Sequence, residues 1–288
     1  MSAAGAPTAP TAPTRVLAAM TWAEVAATAG RQLLAVPLGA TEQHGPHLPL
    51  GADTVVADAL CRRLADRRDD VVVAPALPFG SSGEHRAFPG TVSIGQSALE
   101  QVVVELVRSA DAFRAVVLVS GHGGNAAPLQ RAAATAAAEG RHLLVWWPTL
   151  SAPQQAPRPP DAHAGWVETS LLLALQPEQV HLERAEPGDL RPLHVVSDTL
   201  RTEGMAAVTA NGVLGDPTGA SPALGVALLE RAVADLDAAV TRRFGPPPAG
   251  DGGGDPGADR RGADDPHDTD PADADPADVD PAGGDGRW

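Results

Sequence analysis

A short apolar run, AVVLV at residues 115–119, is followed without a break by the glycine-rich sequence SGHGGN at residues 120–125. A continuous apolar run of this length is typical of a strand that is buried on both faces of a parallel sheet. Three further runs of the same kind occur at residues 33–38 (LLAVPL), 71–74 (VVVA) and 143–146 (LLVW). The pattern therefore predicts four buried strands.

Helical patterns separate these runs, at residues 53–67, 97–113 and 126–139, with two more near residues 167–175 and 222–243. Strands that alternate with helices indicate an α/β fold with a mostly parallel sheet, in which ligands bind beyond the carboxyl ends of the strands. We therefore expect the residues that carry chemistry to follow the apolar runs directly.

The composition excludes several classes of chemistry. The chain has 288 residues with 21 Lys+Arg, all of them Arg, against 36 Asp+Glu, for a formal net charge of −15. Without lysine there is no Schiff-base or Walker-type phosphate lysine, and an acidic chain is a poor partner for nucleic acid. The single cysteine, Cys61, excludes a disulfide framework and a cysteine-rich metal site, so any metal must be held by His, Asp and Glu. The use of one cysteine predicts a cytoplasmic protein. We expect Cys61 itself to be a small buried apolar residue.

The two ends of the chain differ in composition from the rest. Residues 1–14 are rich in Ala, Pro and Thr, and residues 245–288 contain 12 Asp and 3 Arg with repeated Asp-Pro-Ala triplets. Such segments have too few large apolar residues to offset the entropy of ordering, so we expect both to be disordered around one folded domain at residues 15–244. The acidic end is interpreted as a solubilising tail, with a docking role as the alternative. No apolar stretch is long enough to predict a membrane span.

The first apolar run leads into GATEQHGPHLPLGAD at residues 39–53. In an extended chain, residues two apart project to the same side, so Glu42 and His44 can face one pocket. Asp53 lies where the chain turns into a helix and can either cap that helix or bind a cation. Alone, a Glu-x-His pair beside glycine is more often a surface loop than a metal site.

Two later segments supply further candidate ligands. His122 stands among three glycines directly after a strand; a phosphate-binding loop is the competing interpretation. Glu168 opens a helix after the sequence DAHAGWV, and capping of that helix would also explain it.

Taken together, the candidates comprise two imidazoles and three carboxylates, enough for two divalent ions that share one carboxylate. Oxygen and nitrogen ligands suit zinc, iron(II) or manganese(II), and two such ions activate water and polarise a carbonyl, which predicts hydrolytic chemistry.

Three motifs stand in order along the chain: VPLGATEQHGPHLPL at residues 36–50 with Asp53, GHGGN at residues 121–125, and HAG with ETS at residues 163–165 and 168–170. Together they resemble the creatininase family of metal-dependent amidohydrolases, over about residues 30 to 240. The resemblance implies a single-domain, three-layer α/β/α fold, a homo-oligomer and two divalent metal ions per subunit. The ligands that it implies are Glu42, His44, Asp53, His122 and Glu168, with Asp53 as the bridge.

The family resemblance also implies catalytic roles. Either His163 or a ligand carboxylate such as Glu168 would give a proton to the leaving nitrogen. In the alternative role, His163 orients Glu168. Members that hydrolyse creatinine carry a Glu two residues after the loop histidine, where this chain has Gly124. This departure argues against creatinine as the substrate.

Within the family, GSSGEH at residues 80–85 with FPGT at residues 88–91, and NGVLGDPTGAS at residues 211–221, are similar to the peptidases of mycofactocin biosynthesis. That resemblance implies hydrolysis of a peptide bond near the C-terminus of a ribosomal precursor peptide already modified at its terminal Val-Tyr. The alternatives are an amidohydrolase for a small cyclic amide or formamide and a catalytically silent metal-binding protein.

The remaining candidates are weaker. His47 is expected to support its loop rather than to bind metal, and Glu84 with His85 either reach the substrate or form a solvated pair. The other histidines are interpreted as structural or surface residues: His142, His181, His194 and His267.

Overall fold

The computed structural model describes residues 15–148 and 161–247. Its centre is a sheet of four parallel strands: β1 (Leu33–Leu38), β2 (Val71–Val73), β3 (Ala115–Ser120) and β4 (Leu143–Trp146). The strands lie in the order β2-β1-β3-β4, and β1 pairs with β3 from Leu33 opposite Ala115 to Leu38 opposite Ser120. The chain therefore winds to one side of β1 to form β2 and to the other side to form β3 and β4.

Helices connect the strands and cover both faces of the sheet. They are α1 (Trp22–Ala26), α2 (Ala52–Arg67), α3 (Gln96–Ser109), α4 (Ala126–Ala138), α5 (Trp166–Leu175), α6 (Leu193–Thr202) and α7 (Pro222–Phe244). Short 3-10 helices occur at Leu17–Ala19, Gly83–His85, Gly123–Asn125, Pro177–Gln179, Leu182–Arg184 and Met205–Ala207.

The sheet separates two apolar cores. Successive strand residues point to opposite faces, so Val117 and Val119 pack with α2, α5 and α7, whereas Val116 and Leu118 pack with α3 and α4. Cys61 lies buried in the first core. The result is three layers, helices on sheet on helices, which confirms the predicted fold class.

The predicted strands agree with the structure to within one residue, and the predicted helices begin within one residue of their observed starts. Helix α3 ends at Ser109 rather than near residue 113, because residues 110–114 turn back to enter β3. Two helices, α1 and α6, were not predicted, although Leu193, Val196 and Leu200 of α6 recur at helical spacing.

The domain boundaries stay a prediction. Residues 1–14 and 248–288 lie outside the described residues, as does His267. Within the described part of the chain, no helix is both long and apolar enough to cross a membrane.

Candidate metal centre

The candidate residues lie at the carboxyl ends of β1 and β3, the two strands between which the winding of the sheet reverses. In open α/β sheets this reversal creates a crevice at the strand ends. Two glycines let α2 enter the crevice: a Cβ at Gly39 would overlap Thr54, and a Cβ at Gly121 would overlap the backbone of Asp53. The start of α2 is therefore held against both strand ends, which brings Asp53 into the crevice.

One group of side chains joins the loops after the two strands. His122 Nδ1 is 3.1 Å from Glu42 Oε1 and 3.7 Å from Asp53 Oδ2. All three residues are buried, and one ligand atom from each can lie within 4.8 Å of the other two. Such a cluster of one nitrogen and two oxygens can hold a divalent cation.

A second group shares Asp53 with the first. His44 Nε2 lies 3.1 Å from Asp53 Oδ1 and 3.9 Å from Glu168 Oε2, and these three residues also form a compact set of potential ligands. The two oxygens of Asp53 thus face different groups, Oδ1 toward His44 and Oδ2 toward His122. A carboxylate in this position can bridge two cations.

His163 completes a third group with Glu42 and His44. Its Nδ1 is 4.0 Å from both Glu42 Oε1 and Glu168 Oε2. The backbone of His163 exchanges two hydrogen bonds with Leu214, so a loop distant in sequence fixes its position. The structure therefore brings together all six residues that were predicted as metal ligands or catalytic groups.

Unpaired buried oxygens indicate that this cluster is built for cations. Both carboxylate oxygens of Glu42 and Oδ2 of Asp53 are buried and have no hydrogen-bond partner. Burial of a carboxylate whose oxygens accept no hydrogen bond costs roughly several kcal/mol, and a bound cation would offset that cost. The residues present therefore fit divalent metal ions.

The electrostatics of the cluster agree with this conclusion. Burial lowers the pKa of His44, but Asp53, Glu168 and Glu42 outweigh it and raise the pKa to about 10. The pKa of His122 is likewise raised to about 10, because Glu42, Asp53 and Glu84 outweigh its burial. Burial raises the pKa of Glu168 to about 7, against the opposing effect of His44. The site thus attracts positive charge, whether carried by protons or by metal.

Backbone carbonyls orient both ligand imidazoles. His44 Nδ1 donates to the Glu42 carbonyl (3.2 Å), and His122 Nε2 donates to the Ser81 carbonyl (3.2 Å). A carbonyl only accepts, so in the neutral imidazole, the form that binds metal, the proton lies on this nitrogen and the opposite ring nitrogen carries the lone pair. Those lone pairs face Asp53 and Glu42, as metal ligation requires.

Asn125 holds the loops of the site together and was missed by the sequence analysis. Its Oδ1 accepts from the Ser81 amide (2.8 Å), and its Nδ2 donates to the Gly39 carbonyl (3.2 Å) and to Ser120 Oγ (3.3 Å). One buried side chain thus connects the segments that follow β1, β2 and β3. The GHGGN pattern contained this residue but gave no indication of its partners.

The capping alternatives are resolved by the helix starts. Asp53 is the second residue of α2 and makes no cap hydrogen bond, so the capping interpretation of Asp53 is wrong. Glu168 Oε2 accepts from the Ala164 amide (2.5 Å) and also faces His44. The first amides of α5 are instead bound by Asp161, which accepts from Trp166 N (2.7 Å) and Val167 N (3.4 Å) and was not predicted.

A cavity of about 860 Å³ opens onto the cluster. His85 is buried at its wall, with Nε2 3.4 Å from Glu42 Oε1, so the solvated-pair alternative is wrong for His85. Glu84 also lines the cavity, and its Oε1 lies 3.6 Å from His122 Nε2. The phosphate-binding alternative is disfavoured, because Glu84 and the ligand carboxylates would repel an anion at this loop.

Helix α6, which the sequence did not predict, supplies part of the cavity wall through Leu193, Ser197 and Leu200. Gly124, which also lines the cavity, has no room for a side chain, because a Cβ there would overlap His122 Nε2, Glu84 Oε1 and the Ser81 carbonyl oxygen. The carboxylate of Glu84 thus occupies the space next to position 124.

The other candidates lie outside the cluster. His47 Nε2 contacts Thr169 Oγ1 (2.9 Å), and its carbonyl accepts from His181 N (2.8 Å), as expected of a residue that supports its loop. His142, His181 and His194 are exposed, in agreement with their interpretation as surface residues.

Comparison with known proteins gives consistent matches. The family model Creatininase, described as creatinine amidohydrolase, matches residues 18–240. The mycofactocin precursor peptide peptidase of Mycobacterium tuberculosis (strain ATCC 25618 / H37Rv) is 43% identical over 219 residues, 73% of this chain and 84% of that protein. The peptidase of the same name from Mycolicibacterium smegmatis is 45% identical over 201 residues, 67% of this chain and 78% of that protein.

Solved structures match over a similar length. A structure named Creatininase Mn superposes with a TM-score of 0.67 at 28% sequence identity, and the match covers 81% of this chain and 100% of that one.

Proposed function

This chain belongs to the creatininase family, and on that premise we propose that it hydrolyses a peptide bond near the C-terminus of a modified mycofactocin precursor peptide. As a family member it is a hydrolase that acts on carbon–nitrogen bonds. The peptidase assignment is supported by 43% and 45% identity to two mycofactocin precursor peptide peptidases. The product would be the modified Val-Tyr-derived end of the precursor.

We assign five ligands to two divalent ions: Glu42, His44, Asp53, His122 and Glu168. The observation that carries this assignment is the position of Asp53, whose two oxygens belong to two different ligand groups. Zinc, iron(II) and manganese(II) all accept this set of oxygen and nitrogen donors.

Two ions held in this way would lower the pKa of water and polarise the scissile carbonyl. The chain's own residues supply the proton transfer. His163 and Glu168 face each other at 4.0 Å beside the cluster, and His163 lines the cavity, so one of them can carry a proton to the departing nitrogen. The cavity, about 860 Å³, has room for the end of a peptide chain.

The test compares substrates. Full-length protein loaded with zinc, iron(II) or manganese(II) is incubated with the modified precursor peptide, with the unmodified peptide, with creatinine and with formamido compounds. We expect cleavage of the modified peptide, with release of its modified end measured by mass spectrometry. Turnover of a small amide without cleavage of the peptide would contradict the peptidase assignment.

The second candidate function is hydrolysis of a small cyclic amide or formamide. It is supported by the family model, which is described as creatinine amidohydrolase. The geometry at Gly124 argues against creatinine itself, because the Glu of creatinine-hydrolysing members has no space there.

The remaining expectations extend the proposal. A homo-oligomer follows from the family resemblance, and its subunit number can be measured by light scattering. A cytoplasmic location stays a prediction from the use of a single cysteine.

A further inference from the structure

Gln43 lies between two histidines of the site and was not predicted to have a role. Its side chain is buried, and its Nε2 is 2.9 Å from His85 Nδ1, 3.1 Å from His163 Nε2 and 3.0 Å from the Gly212 carbonyl. Gln43 also follows Glu42 and precedes His44 in the chain, so its position is fixed by the same loop that carries two ligands. An amide group that donates a hydrogen bond to one ring nitrogen of an imidazole leaves the proton of the neutral ring on the other nitrogen.

The orientation of the Gln43 amide is set by the backbone. Its Oε1 accepts from the Gly45 amide (2.8 Å), so the atom that faces the histidines is the NH₂ group. Close packing holds it there, because a Cβ at Gly212, which has a φ of +80°, would overlap Gln43 Oε1. The side chain therefore presents two N–H donors to its neighbours.

These two donors have two acceptors that fit them. The Gly212 carbonyl can only accept, and it takes one hydrogen of the amide at 3.0 Å. The other hydrogen points to His85 Nδ1 at 2.9 Å, which must then be unprotonated. In the neutral imidazole the remaining proton is on Nε2, the nitrogen that lies 3.4 Å from Glu42 Oε1 at the cavity wall.

His163 presents a lone pair to the site, whereas His85 presents an N–H group. Its Nε2 is 2.9 Å from the backbone carbonyl of Gln43, which only accepts, so Nε2 carries the proton. A lone pair on Nε2 would face the carbonyl lone pairs at this distance. The other nitrogen, Nδ1, therefore keeps its lone pair, 4.0 Å from Glu42 Oε1 and from Glu168 Oε2.

We propose that Gln43 is a positioning residue: its side-chain amide makes His85 a neutral N–H donor to the substrate, and its backbone carbonyl makes His163 a proton acceptor. The substrate role rests on the proposed function. In the hydrolysis, oxygen from water bonds to the scissile carbon and the carbon–nitrogen bond breaks. His163 Nδ1 moves one proton from that water to the departing nitrogen, while His85 Nε2–H donates to the scissile carbonyl oxygen and keeps its proton.

The first test reads the tautomers directly. Full-length, zinc-loaded protein labelled with ¹⁵N-histidine is studied by long-range ¹H–¹⁵N correlation spectroscopy, and His85→Gln and His163→Gln identify the two residues. We expect both imidazoles to be neutral with the proton on Nε2. In Gln43→Glu the new carboxylate can only accept, so we expect the proton of His85 to move to Nδ1. The matched control, Gln179→Glu at an exposed position, leaves both signals unchanged.

The second test links the tautomer to catalysis. Removal of a donor to a developing oxyanion costs about 10²-fold in kcat, so we expect a loss of this size in Gln43→Glu with little change in KM. The variants His85→Gln and His85→Asn distinguish loss of the N–H donor from loss of side-chain volume. The Gln amide reaches the place of Nε2, whereas the Asn amide reaches that of Nδ1. We expect His85→Gln to retain more kcat than His85→Asn, at equal metal content.

The outcomes distinguish the two proposals. A proton on Nδ1 of His85 in the wild-type protein, or no change in Gln43→Glu, overturns the inference even if the peptide is cleaved. The expected tautomers in a protein that does not cleave the peptide support the role of Gln43 and overturn the proposed function.

Discussion

The apolar core around Leu118 and the polar cluster around Glu42 are buried to the same degree, with both residues 0% exposed. The two regions differ in the free energy of burying their side chains. A buried leucine gains about 1.5–3 kcal/mol from leaving water. The carboxylate of Glu42 gains nothing from burial, and both of its oxygens lack a hydrogen-bond partner. The core therefore stabilises the fold, and the cluster is a cost that a bound cation offsets.

The boundary between the two regions is the end of each strand. Leu38 and Val119 are core residues, whereas His44 and His122 lie a few residues further along the same segments. The glycines at positions 39 and 121 mark this boundary, because only a residue without a side chain lets α2 approach so closely. Stability and chemistry are thus supplied by neighbouring parts of one chain segment.

Asp53→Asn is the sharpest way to break the cluster without damage to the core. Loss of the shared ligand is expected to lower activity by at least about 10³-fold, or about 4 kcal/mol of transition-state stabilisation, together with the content of bound metal. Burial and the charge of Glu42 raise the pKa of Asp53, so the ionised carboxylate disfavours the metal-free fold. The neutral amide is therefore not expected to lower the free energy of unfolding of the metal-free protein.

Asp58→Asn provides the matched control for that substitution. Asp58 lies on the same helix and makes a surface ion pair with Arg62 (2.6 Å). Such pairs contribute about 0–1 kcal/mol, so activity and metal content should be unchanged. If Asp53→Asn kept full metal content and activity, the two-ion site would be wrong.

Leu118→Ala is the converse test, since it damages the core and leaves the ligands in place. Deletion of a buried leucine side chain costs about 2–5 kcal/mol, so chemical denaturation should show a loss of this size in the free energy of unfolding. The folded variant should still bind the same amount of metal. Val102→Ala, at an exposed position of α3, should cost far less. A loss of metal from folded Leu118→Ala would show that core and cluster are not separable.

The charge of the cluster predicts that metal affinity depends on pH. The pKa values of His44 and His122 are raised to about 10 and that of Glu168 to about 7, so at pH 7 these groups hold protons that a metal must displace. Metal affinity should therefore fall as pH falls, by roughly tenfold per pH unit for each proton released.

Competition with a chelator at pH 6, 7 and 8 measures this slope, and calorimetry in buffers of different ionisation enthalpy counts the released protons. An affinity that is the same at all three pH values would contradict the proposed ligation by these residues.

Much of the fold could be predicted because its signal is local. Each buried strand is a continuous apolar run, as at residues 115–119, and the parallel order follows from the helices between the runs. Helix α6 was not predicted, although Leu193, Val196 and Leu200 recur in its sequence at helical spacing. The pattern could not show that this helix lies against the cavity, because that contact joins segments distant in sequence.

The candidate ligands could be predicted because three motifs carry them in order along the chain, and the motifs together resemble one family. The residues that orient them could not. Gln43, Asn125 and Asp161 have the sequence signal of ordinary loop residues, and their partners lie up to 169 residues away, as for Gln43 and Gly212.

The sequence by itself determined the layered architecture, the edge at which the chemistry lies and the types of ligand, because apolar periodicity and residue chemistry are local properties. Only the tertiary structure decided that Asp53 faces two ligand groups, that Gly124 has no space for a side chain and that Gln43 contacts both His85 and His163. These features depend on the packing of segments from distant parts of the chain. Hydrogen bonds and steric overlap act over a few ångströms in space, and distance along the sequence does not limit them.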